Sequence, residues 1–435
     1  MDVKISTLLN TTQRLDGFIY EHTRLDGGPG GLCIEVDVRA HKQRAAKCST
    51  CQCVAPGYDH LELREWTGIP ILGIAVTLRY VPRRVTCPTH GVIVEHMPWN
   101  VGKHSLTVTM MVFLAQWAQR LSIKEVGGVF RVGWHRVFQA VEWVVHWGLE
   151  HRTLTGITGM GIDELHWEKG QRNKAYVTLI YQVDKCQRRL LGIVRGHAQK
   201  DLRRGLRTLG EEVLAAVRYV CSDMWRAYLK VIPQMFPGAV HMIDRFHVTQ
   251  LLNQALDKVR RVDMAAMKGR PQAKRIKGLR WTILRRFSRV RGRSRQALTR
   301  MMSTRLATGR AWQLKEAFLH FWSYRSTRCA REFLRAWVTR AKRSRIGPMR
   351  KFAETLQRHE PMLLNWIQAR DEIMTGAVEG LNNKCRVVTR RAYGYRSFDV
   401  LEVMLYHTVG KLPMPELTHR FGPRGFKGCL VRRTW

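Results

Sequence analysis

Three acidic residues in this sequence stand where their side chains could bind a divalent metal ion. Asp163 lies in the apolar stretch MGIDELHW, and Asp223 follows an apolar run in YVCSDMWRAY. Glu379 is the only acid in TGAVEGLNNKCR, a stretch that is otherwise neutral or basic. Carboxylate oxygens suit Mg²⁺ and Mn²⁺, and two such ions about 4 Å apart can activate a nucleophile and stabilise a leaving oxygen. The residue types therefore predict metal-dependent phosphoryl-transfer chemistry.

Polar and basic side chains follow Glu379 within one or two helical turns and could hold a phosphate backbone beside the metal ions. They are Asn382, Asn383, Lys384 and Arg386. Each acid taken alone is weak evidence, because an Asp at the end of a strand is usually a cap or turn residue. The acids that compete with the three by composition are Glu164, Glu168, Asp184 and Asp244. The choice among them depends on the elements that carry them.

A β-rich segment from position 158 to about 244 carries two of the three acids. Its five strand candidates are MGIDELHW, AYVTLIYQVD, RLLGIVRG, VRYVCSDM and AVHMID, and the amphipathic helix KDLRRGLRTLGEEVLAAV lies between the third and fourth. If the first and fourth strands are neighbours, as in a ribonuclease-H-like sheet, the carboxylates of Asp163 and Asp223 meet. The third acid of that architecture comes from a later helix, where this chain offers Glu379. Residues 246 to about 370 are predicted to be helical throughout.

The charge of the chain favours a polyanionic partner. Its 435 residues include 74 Lys and Arg against 34 Asp and Glu, a formal net charge of +40. Such a chain repels itself unless a polyanion neutralises it, so nucleic acid is the first partner to expect. Between positions 258 and 310 there are 18 basic residues and a single acid, Asp263. This segment, with Arg285, Arg286 and Arg289, is predicted to follow the DNA backbone, and the alternative is a solvated basic face.

The sequence shows no sign of a membrane or export function. No apolar run reaches the ~18 residues that a membrane-spanning helix needs. The first residues, MDVKISTLLNTTQRLDG, lack the apolar core of a signal peptide. The ten Cys are scattered, which fits a reducing compartment in which close Cys pairs bind metal. We therefore expect a cytoplasmic protein without a membrane partner.

Two ligand pairs near the N-terminus have the spacing of a structural zinc site. CSTC supplies Cys48 and Cys51, and CPTH supplies Cys87 and His90, with two residues inside each pair. Short turns of this kind present both side chains to one tetrahedral Zn²⁺, and four protein ligands leave no open position for catalysis. The spare cysteines of the region are Cys33 and Cys53. The second of these could replace Cys51, and the alternative to the whole site is a set of buried cysteines without metal.

A helix-turn-helix is predicted at residues 121–145. Ser122 can cap a first helix that runs to about Phe130, RVG makes the turn, and a second helix begins near Trp134. Residues at the N-terminal end of such a second helix reach base edges in the major groove. Here these residues are Trp134, His135 and Arg136. The alternative is an ordinary helical bundle that makes no DNA contacts.

The chain resembles bacterial insertion-sequence transposases of the ISL three family, which belong to the Asp-Asp-Glu class. The motifs that carry the resemblance, over nearly the whole length, are GIDE at 161–164, SDMWRAY at 222–228, DRFHV at 244–248, and EGLNNK followed by RRAYGYRSF at 379–398. The resemblance implies that Asp163, Asp223 and Glu379 form the catalytic triad of a ribonuclease-H-like domain interrupted by the basic helical segment. The match is looser at Thr375-Gly376, where family members often have Asn-Gly, and at His90, where a Cys would also suit the finger.

The patterns and the resemblance together predict a multidomain α+β protein. Its predicted parts are a zinc-binding N-terminal module at 1–100, a helix-turn-helix DNA-binding domain at 101–152, a ribonuclease-H-like α/β catalytic core at 153–250, a basic helical insertion at 251–370, and the final part of the core with a C-terminal tail at 371–435.

The predicted activity is that of a Mg²⁺- or Mn²⁺-dependent DNA transposase, which binds inverted-repeat ends, cleaves them and transfers the strand to target DNA. Its expected partners are double-stranded DNA and further copies of the chain, as a homodimer or a higher homo-oligomer on DNA. The expected location is the bacterial cytoplasm, at the nucleoid. Two alternatives stay open: a structure-specific nuclease without strand transfer, and a transposase-derived DNA-binding regulator.

Overall fold

The computed structural model describes residues 4–27, 31–167, 176–304, 306–373, 376–391, 395 and 397–416. Glu168, Thr375 and part of the motif at 390–398 lie outside these residues. The described chain is a mixed α+β protein, and it divides into two compact units between Arg152 and Thr153, with short segments after Leu405 shared between them. Within the described ranges, no helix combines the length and the apolar character that crossing a membrane requires.

The first unit contains two small β-sheets. Their strands are β1 (Phe18–Asp26), β2 (Cys33–Ala40), β3 (Gly57–His60), β4 (Arg64–Ile71), β5 (Ile74–Tyr80), β6 (Arg83–Cys87) and β7 (Gly91–Val94). The first sheet has the order β1-β2-β5-β4 and the second has the order β3-β6-β7. Alternate residues of β2, namely Ile34, Val36 and Val38, are buried, so one face of the first sheet forms a core. In this core Phe18 packs edge-on against Trp99, with ring centroids 4.8 Å apart.

Four helices lie in the described part of the first unit up to Arg152. They are α1 (Ile5–Thr12), α2 (Val108–Ala118), α3 (Ile123–Phe130) and α4 (Trp134–Glu150). Ser122 and Glu125 form a capping box at the start of α3, because each side chain accepts a hydrogen bond from the other residue's backbone N–H. Arg131 ends α3 in the left-handed conformation, with φ at 53°. The two helices predicted for this segment are therefore confirmed, and their role in DNA binding remains a prediction.

The second unit contains one five-stranded sheet. Its strands are β8 (Gly159–His166), β9 (Tyr176–Val183), β10 (Arg188–Arg195), β11 (Tyr219–Ser222) and β12 (Val240–Ile243). The order is β10-β9-β8-β11-β12, with antiparallel pairing from β10 to β8 and parallel pairing from β8 to β12. All five predicted strands are present. The first and fourth of them, β8 and β11, are neighbours, which is the condition for their aspartates to meet.

Among the described residues, three helices lie between the strands of this sheet along the chain. They are α5 (Gln199–Arg207), α6 (Glu211–Ala216) and α7 (Arg226–Met235). The sequence pattern predicted one helix where α5 and α6 stand, and that detail is wrong. Gly210 adopts a φ of 90°, which an α-helix does not allow and which only glycine adopts at little cost. Leu202 and Leu206 of α5 and Tyr228 of α7 belong to one buried core with Ile180 of the sheet.

A helical segment separates this sheet from the last part of the chain. Its helices are α8 (Arg245–Ala266), α9 (Pro271–Gly278), α10 (Arg280–Leu284), α11 (Gly292–Met302), α12 (Ala307–Phe318), α13 (Thr327–Arg343), α14 (Gly347–Arg358) and α15 (Glu360–Ala369), with short 3₁₀ helices at Phe287–Arg289 and Leu319–Ser323. The buried ring of Phe318 contacts the rings of Trp322, Trp337 and Phe352. The predicted helical character of this segment is confirmed. Two further helices follow, α16 (Ala377–Arg391) and α17 (Phe398–Val409).

Candidate active site

Three neighbouring parallel strands carry an aspartate at the same level of the second unit's sheet. Ile162 of β8 is paired with Ser222 of β11, and Ser222 is paired with Ile243 of β12. The residues that follow these three are Asp163, Asp223 and Asp244. Because the strands run in the same direction, the three carboxylates occupy equivalent positions on adjacent strands. We call this set the aspartate row.

Asp244, which the sequence presents only as a competing acid, is the third member of the aspartate row. Its Oδ1 atom accepts the backbone N–H of Phe246 at 2.9 Å and so caps helix α8. The residue is 2% exposed, and its Oδ2 atom has no hydrogen-bond partner among the residues described. A buried carboxylate oxygen without a donor is unfavourable unless a cation or a water binds it. Asp244 could have been found in the sequence by the signal that marked Asp223, an Asp directly after an apolar strand.

Helix α16 carries Glu379 into electrostatic range of Asp244, the third member of the aspartate row. Glu379 is half-buried in the first turn of the helix, and its charge contributes to raising the pKa of Asp244. The helix lies close to β8 because Gly161, inside the GIDE motif, has no side chain. A Cβ atom at Gly161 would stand 2.6 Å from Cγ2 of Val378. The glycine therefore lets the helix that carries Glu379 pack against the strand that carries Asp163.

Asn382 fixes the position of Asp163. Its side-chain Nδ2 donates to Oδ2 of Asp163, and its Oδ1 accepts the hydroxyl of Tyr181 at 2.5 Å. Asn382 is 1% exposed, so its amide faces the acids and not a phosphate backbone in solvent. One helical turn later Arg386 faces the same site, and its charge partly offsets the rise that burial causes in the pKa of Asp163. Asn383 and Lys384, the other predicted backbone contacts, are exposed.

Burial raises the pKa of every member of the aspartate row. The pKa of Asp163 rises to about 7 through burial, and the charge of Asp223 adds to the effect. Burial raises the pKa of Asp223 to about 6 and that of Asp244 to about 6, each partly offset by a backbone N–H. Like charges held together out of water favour protonation unless a cation neutralises them. The all-oxygen donor set, with the unpartnered Oδ2 of Asp244, fits a hard divalent cation such as Mg²⁺ or Mn²⁺.

A cavity of about 740 Å³ opens onto Asp163 and Asp223 and has room for a phosphodiester. Its wall includes basic and polar side chains from two helices, among them Arg386 of α16 and His247 of α8. The Nε2 atom of His247 lies 3.9 Å from Oδ1 of Asp163, and its Nδ1 has no hydrogen-bond partner within the described chain. His247 belongs to the DRFHV motif, so the motif supplied a signal for it although it was not selected as a site residue.

The predicted zinc ligands converge in the first unit. The ligand atoms of Cys48, Cys51, Cys87 and His90 all lie within 4.8 Å of one another. Individual separations are 3.6 Å between the Sγ atoms of Cys51 and Cys87, and 3.5 Å from the latter to Nδ1 of His90. One pair comes from the turn after Ala46 and the other from the hairpin of β6 and β7. This cluster of three Cys and one His is compatible with structural zinc, and the exposed Cys53 lies outside it.

The predicted base-reading residues occupy the first turn of α4. Trp134 and His135 are exposed there, whereas Arg136 is half-buried. The Nη2 atom of Arg136 donates to Oγ1 of Thr67 and to the carbonyl oxygen of Ser105, each at 3.0 Å. Arg136 therefore ties α4 to the rest of the first unit. Of the three residues, Trp134 and His135 present side chains to solvent.

The basic segment exposes a run of arginines. Arg285, Arg286 and Arg289 are all exposed. The single acid of the segment, Asp263, accepts hydrogen bonds from the backbone N–H and the hydroxyl of Thr308 and forms no ion pair with these three arginines in the described chain. The result is a strongly positive helical surface in the second unit.

Comparisons with known proteins agree with the sequence motifs. Residues 160–405 match the family model described as a transposase, that of the ISL three family. The transposase for insertion sequence element IS1557 of Mycobacterium tuberculosis is 27% identical over 399 residues, which cover 86% of this chain and 87% of that relative. The transposase for insertion sequence element IS1001 of Bordetella parapertussis is 26% identical over 353 residues, 80% of this chain and 85% of that relative. This chain belongs to the ISL three family of transposases.

Proposed function

We propose that this chain is a DNA transposase that binds the inverted-repeat ends of its insertion sequence, cleaves the DNA there and joins the ends to target DNA. The observation that carries the proposal is the aspartate row together with Glu379 on the helix packed against it. This arrangement is the one expected of a ribonuclease-H-like catalytic core. Membership of the ISL three family supports the same activity.

Asp163, Asp223 and Glu379 are proposed as the catalytic triad that would hold Mg²⁺ or Mn²⁺. When bound, a pair of such ions supplies activation of the attacking oxygen and stabilisation of the leaving oxygen. The chain's own contacts pre-orient the ligands, because Asn382 fixes Asp163 and the backbone N–H of Trp225 donates to Asp223 at 2.9 Å. The guanidinium of Arg386, on the wall of the cavity, is placed to bind a phosphate oxygen.

Two phosphoryl transfers complete the proposed reaction. In the first, a water oxygen attacks the phosphorus at the end of the insertion sequence, the bond to the 3′ oxygen breaks, and that oxygen takes a proton to become a hydroxyl. In the second, the new 3′ hydroxyl loses its proton and its oxygen attacks a phosphodiester of target DNA, whose own 3′ oxygen leaves and takes a proton. One site can serve both steps, because each is an in-line displacement at phosphorus.

The other parts of the chain are proposed to bind the DNA. The zinc cluster and the helix-turn-helix formed by α3 and α4 would recognise the ends, with Trp134 and His135 nearest the bases. The exposed arginines of the basic segment would hold the phosphate backbone without reading sequence. Because two ends must be joined to one target, we propose a homodimer or higher oligomer on DNA, at the nucleoid in the bacterial cytoplasm.

A cleavage and strand-transfer assay tests this proposal. The insertion sequence's own end DNA is labelled and incubated with Mg²⁺ and a target plasmid. We expect cleaved ends and joined products from the wild type, and neither from Asp223→Asn, which should still bind the ends. Cleavage without joining would favour the nuclease, and end binding without cleavage would favour the regulator. Nicking at the wild-type rate by Asp223→Asn would refute the assignment of Asp223 as a catalytic residue.

A further inference from the structure

Three aromatic rings form a continuous stack beside the aspartate row. Tyr176 opens strand β9, His197 precedes α5, and Trp225 precedes α7. The rings of Tyr176 and His197 lie 4.4 Å apart at an interplanar angle of 4°, and those of His197 and Trp225 lie 5.0 Å apart at 16°. The stack therefore assembles parallel rings from three separate parts of the chain, with Trp225 at one end.

The stack is held rigidly to the acids. The backbone N–H of Trp225 donates to Oδ1 of Asp223 at 2.9 Å, and its indole N–H donates to the carbonyl oxygen of His197 at 3.1 Å. The Nδ1 atom of His197 lies 3.1 Å from Oε2 of Glu164, the residue next to Asp163. Together these contacts link the stack to the aspartate row, so the position of the Trp225 ring is fixed relative to the site.

The terminal ring is open to solvent although most tryptophans of this protein are not. Trp225 is 41% exposed, whereas the described tryptophans of the two cores, such as Trp66 and Trp322, are buried. His197 covers one face of the indole, so the exposed area lies on the other face and the ring edges. Single exposed apolar residues are common. An exposed indole that is stacked, hydrogen-bonded and adjacent to a catalytic acid is arranged for contact with another planar group.

The charges next to the stack favour a base of a nucleic-acid strand as the planar group that contacts Trp225. Helix α5 begins two residues after His197 and carries a row of basic residues. They are Lys200, Arg203, Arg204 and Arg207, which together line one surface depression. Basic side chains beside an aromatic platform are the two components of single-strand binding, in which phosphates contact the cations and bases stack on the rings.

We propose that the Trp225 end of this stack receives an unpaired base of the DNA next to the reacting phosphate, while the basic face of α5 holds its backbone. The inference rests on the proposed function, since it takes DNA as the substrate of the aspartate row. Every base has a flat aromatic face, so the platform accepts any of the four. It selects DNA that is frayed or single-stranded beside the cleavage point.

A fluorescence experiment tests the platform separately from DNA binding. The probe is a short duplex with a single-stranded overhang that carries 2-aminopurine at its first unpaired position and fluorescein at its far end. The protein carries Glu379→Gln to prevent cleavage. Binding is measured by the anisotropy of fluorescein. We expect binding to quench the fluorescence of 2-aminopurine. Adding Trp225→Leu, which keeps apolar volume without an aromatic face, should remove the quenching and weaken overhang binding about fivefold or more.

The controls separate stacking from folding. Trp225→Phe keeps an aromatic face and should retain most of the quenching, whereas Trp117→Leu removes a comparably exposed indole (42%) from the first unit and should leave the quenching of the bound probe unchanged. A blunt duplex should bind equally to the Trp225 variants. Quenching that survives in Trp225→Leu would overturn the platform alone. If none of the proteins binds any DNA, the proposed function fails and the platform fails with it.

Discussion

The side-chain amide of Asn382 on α16 donates a hydrogen bond to Oδ2 of Asp163 on β8, across 219 positions of sequence. The same side chain accepts the hydroxyl of Tyr181. A residue that the sequence suggested as a phosphate contact is thus placed to set the orientation of a candidate metal ligand. The packing of α16 against β8 therefore helps to position the carboxylate of Asp163.

Replacing Asn382 by Ala should impair the acid site without unfolding the chain. The change leaves Asp163 unoriented and removes the oxygen acceptor of the buried Tyr181 hydroxyl, which keeps only the weaker contact to Sγ of Cys385 at 3.4 Å, a cost of about 1–3 kcal/mol. We expect weaker Mn²⁺ binding in titration calorimetry and slower end cleavage. Asn383→Ala is the matched control for Mn²⁺ binding, because Asn383 is the next residue, is exposed, and accepts a hydrogen bond from Arg386 and not from the acids. Equal losses in both variants would contradict the assigned role.

Neutralising Asp223 should stabilise the metal-free protein at alkaline pH. Burial raises the folded-state pKa of Asp223 from 3.8 to about 6, so its ionisation opposes folding as the pH rises through that range. The Asp223→Asn variant lacks this penalty, which is on the order of 1–3 kcal/mol. In thermal unfolding with the catalytic metal withheld and zinc retained, its advantage over the wild type should grow as the pH rises from 3.8 to about 6 and should stay constant at higher pH.

Adding Mg²⁺ should make the wild type more stable than Asp223→Asn. The wild type should gain stability when Mg²⁺ is added at alkaline pH, because a bound cation compensates the buried carboxylates, and Asp223→Asn should gain less. Glu212→Gln, a change at an exposed acid of α6, should follow the wild type at every pH and Mg²⁺ concentration. A wild type whose stability is insensitive to Mg²⁺ would count against a metal site at the aspartate row.

Loss of one zinc ligand should abolish metal binding in the first unit. Cys51→Ser removes a thiolate from the cluster, and elemental analysis should show zinc falling from one ion per chain to none. The first unit should become easier to unfold and to digest, because the free energy of metal binding contributes directly to folding in such modules. Cys53→Ser is the control, since Cys53 is exposed and lies outside the cluster. If Cys53→Ser lost zinc and Cys51→Ser retained it, Cys53 would be the zinc ligand in place of Cys51.

Removing the arginines of the basic segment should flatten the salt dependence of DNA binding. The triple change of Arg285, Arg286 and Arg289 to Ala should lower the slope of log affinity against log salt by roughly 0.9 for each phosphate that the protein no longer neutralises. Preference for end DNA over random DNA should stay unchanged, because binding to phosphates carries no base information. Binding competition at several salt concentrations measures both quantities.

Helix α13 of the same helical segment provides a matched control for that experiment. Its residues Arg328, Arg331 and Arg335 each face an acid, Glu332 in the first case and Glu360 in the other two. Because these three arginines share two acids within the chain, most of their charge is already balanced, and their replacement by Ala should change the salt slope less. If the salt slope fell equally in both triple variants, a specific DNA-backbone contact at Arg285, Arg286 and Arg289 would be refuted.

The sequence by itself determined the features that depend on short-range spacing. The five strands of the second unit follow from apolar runs, the capping box of α3 follows from Ser122 and Glu125, and the zinc cluster follows from two ligand pairs of fixed separation. Strand periodicity, helix capping and each two-ligand turn are local, because their physical cause lies within a few residues. The convergence of the two ligand pairs, 36 positions apart at Cys51 and Cys87, requires the fold of the first unit. The break between α5 and α6 is also local, and Gly210 was the overlooked signal.

Only the tertiary structure decided which side chains meet. Asp244 joins Asp163 and Asp223 because parallel pairing puts three strands in register, and register is set by contacts between segments distant in the chain. Asn382 faces Asp163, and not solvent, because the packing of α16 on Gly161 fixes its rotation about the helix axis. The types and spacings of residues in the sequence identify the possible ligands of a metal site. Burial and strand register select among them, and both are properties of the folded chain.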